Sequence, residues 1–193
     1  MIKKSLHAIS GKVCPECYKE DIKEYGEAYL RVEHQLPENL VCHKHRVDLE
    51  EIKKGCVAGE EVELVVLPHV EIETTYQYTH SFYYEISEMI EKIFVEEILG
   101  DIYLEEAQEK DKSKLREKGY YMHTQLDRQS VGNDLIGYFG NSVLDEVGAS
   151  LKDDIGWISS ITQKQQVKLK LICHLVLIKF LFESIEAFVT YGR

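Results

Sequence analysis

Apolar residues recur every three or four positions over most of the chain after residue 80. This spacing places them on one face of an amphipathic helix. The first such face consists of Ile86, Ile90, Ile93, Phe94 and Ile98. Another helix is predicted around Val131–Val147, where glycines weaken it, and a short one begins at Trp157. Leu169–Phe188 is largely apolar and predicts one long buried helix at the end of the chain.

The pattern before residue 81 is less regular. Apolar and aromatic residues spaced three or four apart predict one short helix over Asp21–Arg31. Residues 57–80 are rich in β-branched residues and permit either two short strands or an extended linker. We therefore expect a mainly α protein with three parts: a small module at residues 1–56, a linker or strand segment at 57–80, and an α-helical bundle at 81–193.

The composition is that of a globular protein and excludes collagen-like and disordered classes. The 193 residues are 44% hydrophobic and 30% charged, and a chain of this length can bury a core. The formal net charge of −11 argues against non-specific coating of nucleic acid, so DNA contacts would be local. No apolar run has the length of a membrane span. We expect a cytoplasmic protein with no membrane partner.

The strongest chemical signal is a pair of short metal-binding motifs. Cys14-Pro-Glu-Cys17 is followed, with 24 residues between, by Cys42-His-Lys-His45. Two such pairs can complete the tetrahedron that zinc prefers in structural sites. The predicted ligands of one structural Zn²⁺ are Cys14, Cys17, Cys42 and His45. A site closed by four protein ligands has no open position for a substrate water, which argues for a scaffolding role.

Other residues compete for places in this site. His43 is the alternative fourth ligand, and Cys56 is either a spare ligand or a free thiol. The five cysteines are odd in number and unevenly spaced, which favours a reduced protein with a metal site over a disulfide framework. Cys173 and His174 lie in the apolar last segment. Cys173 is predicted to be a small buried hydrophobic residue rather than a nucleophile or ligand, and His174 a core or boundary residue.

The stretch from Cys14 to His45 resembles the zinc-finger portion of the TniQ/TnsD family of transposon target-selection proteins. The resemblance rests on the two ligand pairs and on Asp21-Ile, Tyr25-Gly-Glu and Tyr29-x-Arg-x-x-His-Gln-Leu-Pro between them. Leu30 and Glu38-Asn39 depart from the family pattern, which has Trp and Gly-Val there. The segment before the cysteines is nearly absent, so we expect an N-terminally shortened relative.

The helical half is similar to the TnsD-type C-terminal region. The matching elements are Leu115-Arg-Glu-Lys-Gly-Tyr120, Tyr138-Phe-Gly140, and Trp157 with His174-Leu-Val-Leu. The resemblance implies a non-enzymatic DNA-targeting adaptor that recruits the transposon's AAA+ ATPase. The implied partners are that ATPase and double-stranded DNA, contacted locally, with an RNA-guided complex on DNA as a further option. A homodimer is left open.

Two groups of residues are candidates for nucleic-acid contacts. Arg31 lies between the ligand pairs with His34 and Gln35, and it either orients the metal site or reaches phosphate or a base edge. The second group surrounds a glycine turn between two predicted helices, an arrangement similar to a helix-turn-helix unit. Its members are Lys114, Arg116, Lys118, Arg128, Ser130 and Asn133. The alternative for this group is an ordinary solvated charged turn.

Two other functions remain open at this point. Zinc of this type also braces some metal-dependent nucleases, which would need a catalytic histidine or acidic cluster, and His69 and His80 have no obvious partner in the sequence. The other alternative is a structural protein-interaction module that does not bind DNA. No Gly-rich phosphate loop and no nucleophile motif is present.

Overall fold

The computed structural model describes residues 11–52, 72–95, 104–151, 156–161 and 170–192. The chain divides into two compact units between Ser87 and Glu88. The fold is mainly α-helical, as predicted, with small two-stranded sheets. Within the described ranges, no helix has both the length and the apolar character needed to span a membrane.

The first unit begins with a two-stranded sheet that joins distant parts of the chain. Strand β1 (Gly11–Val13) pairs antiparallel with β2 (Glu50–Ile52), with Lys12 opposite Glu51. Gly11 packs so closely that a Cβ there would lie 2.8 Å from the Leu30 side chain. The sequence analysis did not identify this sheet, because the paired segments are short and almost 40 residues apart.

The first helix starts earlier than predicted. Helix α1 spans Pro15–Tyr25 and ends where Gly26 adopts a left-handed conformation with φ of 81°. Gly26 suits this position because it has no Cβ to oppose a positive φ. The prediction of a helix over Asp21–Arg31 is therefore wrong after residue 25. A 3₁₀ turn at Val32–Gln35 follows.

Residues 72–87 belong to the first unit and are fastened to it through a buried aspartate. Asp48 accepts hydrogen bonds from the Gln77 and Tyr78 backbone N–H groups and from the Thr75 hydroxyl, at 2.6, 3.3 and 3.0 Å. Helix α2 (Ser81–Val95) follows, and the Ser87 hydroxyl donates to the Val41 carbonyl at 2.7 Å. The strands considered for residues 57–80 lie mostly outside the described residues, and residues 72–80 form none.

The second unit consists of helices around one hairpin. In chain order, its elements are α3 (Leu104–Glu117), β3 (Tyr121–Met122), β4 (Gln125–Leu126), α4 (Arg128–Phe139), α5 (Asn141–Glu146), α6 (Gly156–Ser160), α7 (Leu171–Phe182) and α8 (Ile185–Thr190). The hairpin β3–β4 separates α3 from α4. The glycine turn expected between these two helices is therefore a longer, β-paired connection.

Two helices that the sequence predicts as continuous are broken. The helix predicted around Val131–Val147 is interrupted at Gly140, whose φ of 84° separates α4 from α5. The long last helix is also wrong as one element, because Glu183 has a φ of 70° and the Ser184 hydroxyl caps α8 by accepting from the Ala187 N–H. A serine at a helix N-cap stabilises this new start.

Candidate metal centre

The first ligand pair is held by the start of α1. Cys14 is the N-cap residue, and its Sγ accepts a hydrogen bond from the Cys17 N–H at 3.4 Å. Pro15 occupies the first helical position, where its missing N–H leaves no helical bond unmade. This geometry turns both sulfur atoms toward the same side of the first helical turn.

The second ligand pair is held by a tight turn. The Cys42 N–H donates to the Val47 carbonyl and the Arg46 N–H donates to the Cys42 carbonyl, both at 2.8 Å. Arg46 adopts a φ of 54°, a left-handed conformation that is uncommon outside glycine, asparagine and aspartate. The turn brings the His45 ring back over Cys42.

The two pairs meet in one cluster of four ligand atoms. These atoms, from Cys14, Cys17, Cys42 and His45, all lie within 4.8 Å of one another. The Cys17 and Cys42 sulfur atoms are 3.8 Å apart, and His45 Nδ1 lies 3.4, 3.3 and 3.7 Å from the three sulfur atoms in chain order.

These distances fit one tetrahedral ion. Zn–S bonds of about 2.3 Å and a Zn–N bond of about 2.0 Å imply sulfur atoms about 3.8 Å apart and sulfur about 3.5 Å from nitrogen. The four separations given above agree with these values to within a few tenths of an ångström. The donor set of three sulfurs and one imidazole also suits zinc chemically. The four side chains are positioned to bind a metal ion.

The pKa values of the clustered thiols also favour a bound cation. Hydrogen bonds with the Cys14 and Cys17 thiols hold the pKa of Cys42 far below its usual value. Hydrogen bonds with Cys14 and Cys42 instead raise the pKa of Cys17. Three thiols packed together cannot all ionise unless a cation offsets their charge, and a bound divalent ion deprotonates its sulfur ligands.

A carboxylate outside the cluster orients the histidine. Glu20, one turn after Cys17 in α1, has Oε1 3.0 Å from His45 Nε2 and also pairs with Lys44. If Nε2 carries the proton and donates it to Glu20, Nδ1 is left free to bind an ion. The sequence analysis missed Glu20, although its spacing from Cys17 was available as a signal.

The competing ligands do not enter the cluster. His45 supplies the nitrogen rather than His43, and Cys56 lies outside the described residues. Cys173 is buried within α7 and not among the four clustered residues, as predicted for a core residue. His174 Nδ1 lies 3.6 Å from the buried Asp111, whose pKa is raised by burial.

Arg31, His34 and Gln35 make hydrogen bonds to other residues of the metal-binding module. Arg31 Nη2 donates to Asp21 Oδ1 at 2.8 Å, and that carboxylate is buried. Gln35 Nε2 donates to the Lys12 carbonyl and Oε1 accepts from the Lys12 N–H, at 2.8 and 3.0 Å. His34 is buried and hydrogen-bonds with Cys42, which helps lower the pKa of that thiol.

The basic candidates on α3 face other parts of the second unit. Lys114 Nζ lies 2.7 Å from a Glu117 oxygen and 5.1 Å from the Tyr191 ring centroid. Lys118 Nζ donates to the Phe180 carbonyl at 3.4 Å. Lys110, one helical turn before Lys114, donates to the Phe188 and Val189 carbonyls in α8 and is almost fully buried. Lys110 therefore packs α3 against α8, whereas Lys114 and Lys118 make their contacts from more accessible positions.

The remaining candidates lie around the hairpin and the start of α4. The Arg116 guanidinium lies 4.8 Å from the Tyr121 ring centroid. Ser130 donates from its N–H and its hydroxyl to Asp127, the N-cap residue of α4. Arg128 and Asn133 are exposed, and Asn133 accepts a hydrogen bond from the Gln129 side chain. Arg128, Ser130 and Asn133 therefore share the first two turns of α4, whereas Arg116 lies at the hairpin.

Two family models match the chain, one in each half. The family model of TniQ matches residues 3–49, which include all four clustered ligands. The family model described as Tn7-like transposition protein D, TnsD, matches residues 91–193, more than half of the chain. The search of curated proteins gave no match. With a TniQ match over the metal cluster and a TnsD match over the helices, the chain belongs to the TniQ/TnsD family of transposition target-selection proteins.

Proposed function

We propose that this target-selection protein is a non-enzymatic adaptor. In this proposal it binds a target site in double-stranded DNA, or an RNA-guided complex already on DNA, and recruits the transposon's AAA+ ATPase. The supporting observation is the closed set of four ligands inside the TniQ match. An ion held by four protein ligands has no open position for a substrate water, so it supports a scaffold rather than a reaction.

The ion proposed for the cluster is one structural Zn²⁺. Elemental analysis of the purified protein should find one zinc per chain, and the Cys42→Ser variant should lose it. A variant of Cys173, outside the cluster, is the matched control and should keep its zinc. Wild-type protein that folds and contains no stoichiometric zinc would contradict this part of the proposal.

DNA contact is proposed for the start of α4. Arg128 and Asn133 are exposed on its first two turns. An arginine there can contact phosphate and an asparagine can reach a base edge. Arg31, Lys114, Arg116, Lys118 and Ser130 remain candidates from the sequence. The first four are basic residues with intramolecular contacts, so binding DNA through them would require those contacts to be exchanged or shared.

A salt titration of DNA affinity tests this proposal. Each phosphate contact adds about 0.9 to the slope of log affinity against log salt concentration. Arg128→Ala should therefore lower the slope by about 1, whereas Lys19→Ala, which removes an equal charge from the exposed face of α1, should leave it unchanged. Binding too weak to measure at low salt would favour the protein-interaction module without DNA binding.

Recruitment and the lack of catalysis need separate assays. The purified ATPase adaptor of the transposon should bind the zinc-loaded protein, and the complex should form on DNA. Plasmid nicking with magnesium or manganese should show no activity. The His80 ring nitrogen accepts a hydrogen bond from the Phe82 N–H at the start of α2, so no observation favours it as a nuclease residue. Cleavage lost on replacing His69 or His80 would overturn the adaptor proposal.

The proposal retains the other sequence predictions. These are domain limits at residues 56 and 80, a cytoplasmic location, and the option of a homodimer. Size-exclusion chromatography with light scattering would determine the oligomeric state.

A further inference from the structure

Two tyrosines on the metal-binding module form an aromatic pair that faces solvent. The Tyr25 and Tyr29 ring centroids are 5.9 Å apart with their planes at 67°. The two residues are 59% and 50% exposed, and Val32, three positions later, is 64% exposed. Single exposed apolar residues are ordinary, whereas two exposed rings in contact are a candidate interaction surface. We call Tyr25 and Tyr29 the aromatic patch.

The edge of the aromatic patch is acidic. The Tyr29 hydroxyl donates to Glu27 Oε1 at 2.8 Å. The Tyr25 hydroxyl bonds in the same way with Glu24, and each bond raises the pKa of its tyrosine. Both carboxylates are exposed, and each retains further lone pairs for another donor.

The arginine of this segment bonds elsewhere. Arg31 directs its guanidinium toward the buried Asp21, with Nη2 2.8 Å from Oδ1. The exposed carboxylates of Glu24 and Glu27, which bond to the two tyrosine hydroxyls, are called the acidic rim.

This combination suits one kind of ligand group. The face of an aromatic ring attracts a cation, and a planar guanidinium can stack on the ring while donating to a carboxylate beside it. An ammonium group can bind as a point charge but cannot make both contacts in the same way. DNA is disfavoured here because its phosphates would meet the acidic rim.

We propose that the aromatic patch and its rim, Glu24 and Glu27, form a docking surface for an arginine-bearing segment of a partner protein. This deepens the proposed function, since it assigns a partner-binding face to the metal module. This surface and the DNA candidates of α4 lie in different units of the chain, so variants can test them separately.

The test uses the full zinc-loaded chain and two fluorescent peptides. One has arginines spaced by glycines, and the other has lysines in the same positions. Fluorescence anisotropy without DNA should show the arginine peptide binding at least about threefold tighter than the lysine peptide. The double variant Tyr25→Ala, Tyr29→Ala should weaken arginine-peptide binding about tenfold and remove the difference between the peptides.

Matched controls separate this surface from general acidity. Tyr76→Ala removes an exposed tyrosine of the same unit and should have no effect. The double variant Glu24→Gln, Glu27→Gln keeps both rings and should weaken both peptides. Zinc content and melting temperature of each variant confirm folding. Equal binding of the two peptides by the wild type, or an equal loss in Tyr76→Ala, would overturn the proposal while leaving DNA targeting untouched.

Discussion

In the first unit, Cys14, Cys17 and Cys42, three of the four candidate ligands, form a buried cluster with Val47. In the second unit, most of the deeply buried side chains are aliphatic or aromatic. They include Leu115, Leu135, Leu144, Ile158, Ile172, Leu175, Leu177 and Phe188. We expect the first cluster to depend on a bound ion, whereas the second depends on the removal of apolar surface from water.

Removal of the ion should have the largest effect and should be confined to one unit. Structural zinc contributes about 10–16 kcal/mol in zinc-finger peptides, more than a small apolar cluster supplies. We expect chelation, or Cys17→Ser, to expose amides in residues 11–52 to hydrogen exchange while residues 170–192 stay protected.

Mass spectrometry of exchanged fragments measures this difference directly. Cys173→Ser is the control and should keep both the metal and the protection of residues 11–52. Loss of protection in both units together would show that they unfold as one. Unchanged protection after complete chelation would show that the ion does not hold the first unit.

A core deletion should produce the converse result. Leu135 in α4 has no exposed surface, and Leu135→Ala should destabilise the second unit by about 2–5 kcal/mol because it leaves a cavity. Zinc content and protection of residues 11–52 should not change. Urea unfolding followed through Trp157, which lies in α6, measures the loss. A simultaneous loss of zinc would contradict the separation of the two units.

The orientation of His45 offers a finer test of the metal-dependent unit. Glu20→Gln should weaken metal affinity about tenfold or more, because the carboxylate that orients the imidazole is lost. Glu16→Gln is the control from the same helix, since Glu16 pairs with Lys19 and Thr74 instead. Competition with a chelating dye measures both affinities. Equal affinities for the two variants would show that the Glu20 contact does not tune the site.

The smallest effect concerns an ion pair of the second unit. Lys92 lowers the pKa of Glu186 to about 2, chiefly through the hydrogen bond between them. A lowered folded-state pKa adds stability above the ordinary value of 4.5, and that stability is lost as pH falls toward 2. Because Glu186 is half exposed, the gain at neutral pH should be below about 1 kcal/mol.

Lys92→Met should return the Glu186 pKa toward its ordinary value. A carboxylate-detected NMR titration measures the pKa, and urea unfolding at several pH values measures the stability. The control is Lys112→Met, which removes a similar surface pair with Glu109. An unchanged Glu186 pKa in Lys92→Met would contradict this assignment.

The clustering of the four candidate ligands could be predicted because their signal is local. Cys14 with Cys17, and Cys42 with His45, are each three positions apart, and a turn fixes the geometry of each pair. The sheet between β1 and β2 could not be predicted, because two three-residue segments far apart in the sequence have no local signal for their pairing. The spacing of Tyr25 and Tyr29 predicted one helix through both residues, but α1 ends at Tyr25, where Gly26 adopts a positive φ.

In the helical half, too, the sequence predicted the helices but not where they break. The pattern of apolar residues correctly predicted α2, α4 and α7, because each of these helices buries apolar side chains. It did not give the break at Glu183, where one residue adopts a left-handed conformation and a serine starts α8. It also did not show that Lys110 is almost fully buried, because a charged stretch ordinarily indicates a solvated surface.

The contacts of Asp48 also determine the order in which parts of the first unit can fold during synthesis. A ribosome adds residues from the N-terminus, so both ligand pairs are available for an ion before Gln77 and Tyr78 have been made. The carboxylate at position 48 must then wait for these two backbone partners to emerge. If the two ligand pairs bind their ion during translation, they can close early, whereas the contacts of Asp48 form only after about thirty further residues have left the ribosome.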